Sequence, residues 1–183
     1  MEEIYDEPAY SANVLEMIRV AHEYCLFAEQ AEEQSKQHFL RFFVRLSPLL
    51  YLKGTLLPDI QVEYPEANER YITQEQWEEL FNHLRLKIQP DDEFWIMDYE
   101  FSDENEPVRA SLAENFTDIY QDLKDFVLLY QKNSKDAKQN AVHECKLLFS
   151  TRWGPKVLDS LRYVNFLLNK DQFTQEMEDV FGE

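Results

Sequence analysis

The chain has 183 residues, with 36 acidic side chains against 18 basic ones, a net charge of −18, and 44% hydrophobic and 14% aromatic content. Its length suits one compact domain, at roughly one per 150 residues, and its aromatic content excludes a disordered polyanion. So acidic a chain lacks the field of a general nucleic-acid binder, and its three glycines, Gly54, Gly154 and Gly182, stand too far apart for a phosphate-cradling loop or a dinucleotide fold.

Residues 1–10 read as an acidic N-terminal arm, without the basic flank and apolar core of a signal peptide. No run of 18 apolar residues follows, so no membrane span and a cytoplasmic location are expected. From Ser11 to about Gln34, Val14, Leu15, Ile18, Ala21 and Cys25 recur at helical spacing. The stripe over 37–57, with Phe39, Phe42, Phe43, Leu46, Leu49 and Leu50, predicts a mostly buried central helix. Pro48 should bend or interrupt it, and Gly54 and Pro58 should end it. Residues 58–72 show no period and read as a loop.

Thr73 and Gln76 have the spacing of a capping box, opening a helix that runs to Pro90. Residues 91–106 hold eight acids and no base. Their apolar centre would tolerate a short extended piece, but the segment reads as an ordered acidic loop. Ser111 and Glu114 form a second capping-box pair before an amphipathic helix to about Gln131. A further helix spans about 136–151. Gly154 and Pro155 should break the chain and restart it as a helix to about Asn169. Residues 171–183 form an acidic tail. The expected fold is all-α: one domain over 1–183, an irregular bundle of about six helices around the 37–57 helix.

Metal chemistry finds little footing. His22-Glu23 and His143-Glu144 begin the H-E-x-x-H zincin pattern, but Leu26 and Leu147 stand where the second histidine belongs. No Glu lies three residues before any histidine, which removes the di-iron bundle motif. Cys25 and Cys145 could join His22 and His143 in a zinc set. The apolar stripes instead make both thiols buried hydrophobes, and no metal or cofactor is expected. Glu114, Asp118 and Asp125 share a helical arc with Asp122 at its border, opposite the apolar stripe. Such a ridge could hold a divalent cation, and more commonly it is a solvated face. Arg41 and Arg45, four apart on the most apolar helix, must reach solvent or carboxylates. An ion pair with an acid of the 111–131 helix is the expectation, and an anion pocket the sharper alternative.

Two stretches carry a resemblance: SLAENFTDIYQDLKDFVLLYQ at 111–131 and LLFSTRWGPKVLDSLRYV at 147–164. The Ser-Leu start, the Asp-Ile-Tyr-x-Asp-Leu-Lys run at 118–124 and the Trp153-Gly154 pair resemble the bacterial family known as domain of unknown function 5063. Asn115 departs from the acid more usual in that family. The resemblance implies an all-helical bacterial protein and supplies no activity. It singles out Asp118, Tyr120, Asp122, Lys124 and Trp153 as a candidate functional surface. Trp153, at a helix break, reads equally as a core anchor.

Two function classes follow. The favoured one is a non-enzymatic interaction or regulatory module with a protein partner or a second copy of itself. The other is a metal-dependent hydrolase, or another enzyme, using the Asp118 and Asp122 carboxylates. The acidic loop 91–106 is expected to dock on segment 132–170, which holds eight bases and three acids. Burial of Phe94, Trp95, Ile96 and Met97 would supply the stronger anchor.

Overall fold

A computed structural model describes residues 7–97 and 106–181, the side chains of 171–181 excepted. The helices are α1 (Ala12–Glu29), α2 (Lys36–Thr55), α3 (Gln74–Ile88), α4 (Leu112–Tyr130), α5 (Lys135–Leu148) and α6 (Gly154–Phe181). A π-helical turn, Phe149–Trp153, joins α5 to α6, and a hairpin of β1 (Glu93–Met97) and β2 (Pro107–Ser111) precedes α4. The fold is thus all-α with one small antiparallel sheet.

The sheet corrects the reading of 91–106 as a loop. Along β1 exposure alternates, with Phe94 and Ile96 turned inward and Glu93, Trp95 and Met97 outward. Aromatic and branched residues at a period of two favour a pleated surface over a coil. Phe94 stacks on Tyr163 of α6 with ring centroids 4.7 Å apart. Asp91 pairs with Lys36 at 2.6 Å and lies 3.8 Å from Lys170. The described part of 91–106 therefore rests on α6, through one ring more than through charge. Residues 98–105 lie outside the described residues.

The centre of the bundle is α4, not the 37–57 helix. Fifteen of the nineteen residues of α4 are buried, against six of twenty in α2. Helices α1, α3, α5 and α6 all pack on α4. The apolar stripe of α2 is one-sided: it faces α1 and α6, while Leu49 and Leu52 stay exposed. Pro48 does not interrupt α2, because it lies on the exposed side, where the carbonyl it leaves unpaired can reach water.

Gly154 and Pro155 do not break the chain either. The Gly154 N–H bonds the Phe149 carbonyl, one residue beyond α-helical spacing, so the helix passes through a bulge. A Cβ on Gly154 would lie 2.2 Å from that carbonyl oxygen. Gly54, expected to end α2, is buried within its last turn, where a Cβ would meet the rings of Phe149 and Trp153 at 2.5 and 2.6 Å. These two glycines let α2 close on the bulge, and Trp153 fills the junction. Trp153 is fully buried and donates its indole N–H to the Cys145 carbonyl at 3.1 Å.

Helix starts follow local chemistry. Thr73 and Gln76 make the complete reciprocal box. At α4 only half of the expected box forms: Ser111 accepts from the Glu114 N–H, and Asp92 supplies the rest. Asp92 accepts from the Ala113 N–H at 2.8 Å, while its carbonyl accepts from Leu112 at 2.9 Å. A carboxylate at a helix N-terminus also meets the positive end of the dipole. The arm's described end is pinned to α5 by Glu7, 2.7 Å from Lys135. The helical chain continues through 171–181 as part of α6.

Candidate functional site

Asp118, Asp122 and Asp125 lie one or two turns apart on α4, as their spacing predicts, but their arc is not solvated. They are 8%, 2% and 5% exposed. Burying three carboxylates is tolerable only if each meets cations or donors. The partners come from three other elements. From α3, Trp77 donates its indole N–H to Asp118 at 2.8 Å. From the bulge and the start of α6, Arg152 reaches Asp118 at 3.3 Å and Asp122 at 3.2 Å, and Lys156 reaches Asp118 at 2.5 Å. From the 58–72 loop, Arg70 lies 3.5 Å from Asp122, 3.4 Å from Asp125 and 2.7 Å from Glu144 of α5. Asp125 also accepts the Tyr71 and Ile72 N–H groups at 2.8 and 3.0 Å, fastening the end of that loop to α4.

Within this cluster four acids face three bases. Asp122 is the deepest of the acids, and its Oδ2 is buried without a hydrogen-bond partner. Burial pushes its carboxyl up to about 6; Arg152 and Arg70 pull it down, and Asp118 and Asp125 push it further up. It borders a cavity of about 10 Å³ between Arg70, Glu144 and Cys145, the size of a single water. Among the described residues no group of three or more His, Cys, Asp or Glu is placed to hold a metal ion.

The five residues singled out by the family resemblance do not converge. Asp118 and Asp122 belong to this cluster, and Trp153 is core. Tyr120 and Lys124 face α1 instead, where Glu29 accepts the Tyr120 hydroxyl at 2.9 Å and pairs with Lys124 at 2.6 Å. Burial and that carboxylate raise the Tyr120 phenol well above its ordinary value. Arg41 and Arg45 correct the expectation of an ion pair with α4. Both are exposed, and among the described residues neither has an ion-pair partner. The cations that do pair with the acids of α4 are Arg70, Arg152 and Lys156. Cys25 and Cys145 are unbridged and buried, and burial pushes both thiols up.

Arg70, Trp77, Glu144, Arg152 and Lys156 were not singled out by sequence. Arg152 and Lys156 are four apart, so their shared face was legible only to a reading that kept the helix continuous through Gly154. Arg70 sits in a segment without period, and nothing local marks it.

Above the cluster lies a groove of about 810 Å³ between β2, the start of α4, the bulge and the first turns of α6. Arg152 and Lys156 line it from below, with Glu114 and Asp159 at its sides. Met97 and Leu158, 43% and 45% exposed, form apolar walls. On its floor Asn115 donates to Ser160 at 3.1 Å, so the residue that departs from the family pattern ties α4 to α6.

The sequence profile of the family described as domain of unknown function, DUF5063, matches residues 8–170. No curated protein matches the chain. Among solved structures, protein BF1032 from Bacteroides fragilis is similar at 28% identity, with a TM-score of 0.78 over 88% of this chain and 95% of that one. No helix among the described residues is long and apolar enough to cross a membrane.

Proposed function

The chain belongs to the DUF5063 family, and from that premise we propose that it is a non-enzymatic interaction module, receiving a protein partner in the groove above the α4 cluster. One observation carries this reading. The α4 carboxylates, the groups best suited to acid–base or metal chemistry, are already held by cations and N–H donors of the same molecule. The groove above them keeps exposed apolar walls, which mark docking surfaces more than catalytic ones. A net charge of −18 draws a partner of net positive charge to the molecule, while the groove itself is lined by Arg109, Arg152 and Lys156 against Glu114 and Asp159. The fitting occupant is a basic protein that inserts an apolar segment between Met97 and Leu158. Two unbridged buried thiols suit a reducing compartment, and we place this function in a bacterial cytoplasm.

The test places a photo-crosslinking amino acid at Leu158 in the cells that make the protein, with Leu86 of α3, 74% exposed, as the control site. The reading expects one protein adduct at 158, absent at 86 and weakened by added salt. Equal labelling at both sites would refute it.

The rival reading, a metal-dependent hydrolase using Asp118 and Asp122, draws on the raised Asp122 carboxyl. It requires a divalent cation to displace two guanidinium groups. A melting temperature raised by Mg²⁺ or Mn²⁺, with the rise lost in Asp122→Asn, would install it.

A further inference from the structure

We propose that two copies of the chain associate through the free edge of β1, joining their hairpins into one four-stranded antiparallel sheet. The hydrogen-bond alternation of the hairpin fixes which groups are free. The Leu112 N–H bonds the Asp92 carbonyl, and Phe94 and Ile96 pair with Ala110 and Val108 two and four residues on. Strict alternation in an antiparallel ladder then turns the N–H and C=O groups of Glu93, Trp95 and Met97 to the outer edge. Among the described residues no hydrogen bond reaches the backbone of those three.

The two edges of the hairpin differ. The outer edge of β2 begins with Pro107, which has no N–H to offer, a device that blunts exposed strands. The β1 edge has no proline and no lysine. Its single acid, Glu93, is paired with Arg109 of its own hairpin at 2.8 Å. Trp95 is 64% exposed, and Phe166 of α6, 49% exposed, stands beside the strand. A groove of about 620 Å³ runs along β1 against Arg162, Tyr163 and Phe166, leaving room for an added strand.

A second copy fits this edge because the edge is self-complementary about Trp95. A two-fold axis there sets Trp95 opposite the partner's Trp95 and Glu93 opposite the partner's Met97. All three pairs so formed are of the type that exchanges both N–H···O bonds. Phe94 and the partner's Ile96 then meet on the inner face, and within 93–97 no like charges stand opposite one another. Covering two tryptophans and two phenylalanines removes on the order of 500 Å² of aromatic surface from water. That is below the size of stable specific interfaces, so the dimer is weak and reversible. Each copy carries −18, and screening that repulsion should strengthen the association. The inference does not rest on the partner groove, although Met97 lines both that groove and the β1 edge.

Sedimentation equilibrium of the full chain tests it. The mean mass should rise above 22.0 kDa toward twice that value near about 100 µM protein, and further in about 0.5 M salt. Trp95→Pro removes the central edge N–H without touching the internal ladder, and should weaken association at least about tenfold. Leu86→Ala, which trims an exposed apolar side chain of α3 outside the hairpin, should leave the dimer intact. Circular dichroism checks that each variant folds. For a variant that does not, Trp95→Cys replaces the test: mild oxidation should give a covalent dimer, since paired Cα atoms about 5.5 Å apart suit a disulfide, while Leu86→Cys should not. A chain that stays monomeric in high salt, a Trp95→Pro variant that dimerises like wild type, or equal cross-linking at 95 and 86 would each overturn the proposal.

Discussion

The acidic arc of α4 and the outer face of the hairpin invert the usual distribution of residue types. On α4 three aspartates are buried, while on β1 a tryptophan and a methionine stand in water. The first region is closed: its carboxylates find Arg70, Trp77, Arg152 and Lys156 on elements far apart in sequence. The second is open at its backbone and its side chains alike. Charge buried with its partners serves architecture, because removing one of its cations leaves a buried carboxylate uncompensated. Apolar surface left in water next to an unpaired strand edge serves contact with another molecule. The comparison therefore shifts attention from the family-matched carboxylates to the hairpin and its flanking grooves.

The difference can be broken most forcefully from below. Trp153→Ala empties the junction of α2, the bulge and α6, and should cost about 3–5 kcal/mol, read as a large drop in melting temperature. An unchanged melting temperature would move Trp153 out of the core. Arg152→Met should cost nearly as much at pH 8, about 3 kcal/mol or more, because Asp122 keeps only the distant Arg70. Part of that loss should return at pH 5, as Asp122 takes a proton. Loss independent of pH would mean that Arg152 acts by packing alone.

Asp122→Asn gives a smaller effect with a telling pH profile. In the wild type the folded carboxyl titrates near 6 against an ordinary value of 3.8, so the folded state binds the proton more tightly. Stability then falls as pH rises from about 4 to 6 and stays lower above, by an amount on the order of 3 kcal/mol for a shift of this size. Asp91 runs the other way: Lys36 holds its carboxyl below the ordinary value, so its contribution is lost as pH falls through the acid range. Asp122→Asn balances the cluster at three acids and three bases. Chemical denaturation should find the decline between pH 4 and 6 flattened, so that the variant resembles the wild type near pH 4 and is the more stable of the two at pH 8. A steep loss at pH 8 would mean that the charge of Asp122 is needed.

Trp95→Lys should give the smallest effect on folding, within about 0.5 kcal/mol, as expected of an exposed site without a special role in the fold. A large destabilisation would show that the outer face of the hairpin is part of the core and would blur the contrast.

Much of this was written locally. Periodic apolar residues set α1 to α5 at nearly their observed positions and α6 about a dozen residues short, Thr73 with Gln76 fixed one helix start, and the family run at 118–124 pointed to α4. Local pattern failed where the deciding partner was remote. The E-F-W-I-M stretch alternates like a strand, but its mate P-V-R-A-S begins ten residues after it ends and has no period of its own. Gly154-Pro155 looks like a stop because the pattern cannot show Phe149 accepting a wider helical bond.

The acids of α4 mark the division most clearly. Spacing determined that Asp118, Asp122 and Asp125 share a face, because helical geometry depends only on neighbours along the chain. Whether that face meets water or three cations was decided by the arrival of Arg70, about fifty residues upstream, and of Arg152 and Lys156, about thirty downstream. A carboxylate is found in either setting, since water or paired donors can satisfy it, so its own position carries no record of the choice. Only packing, which brings remote segments into one low-dielectric place, could make it.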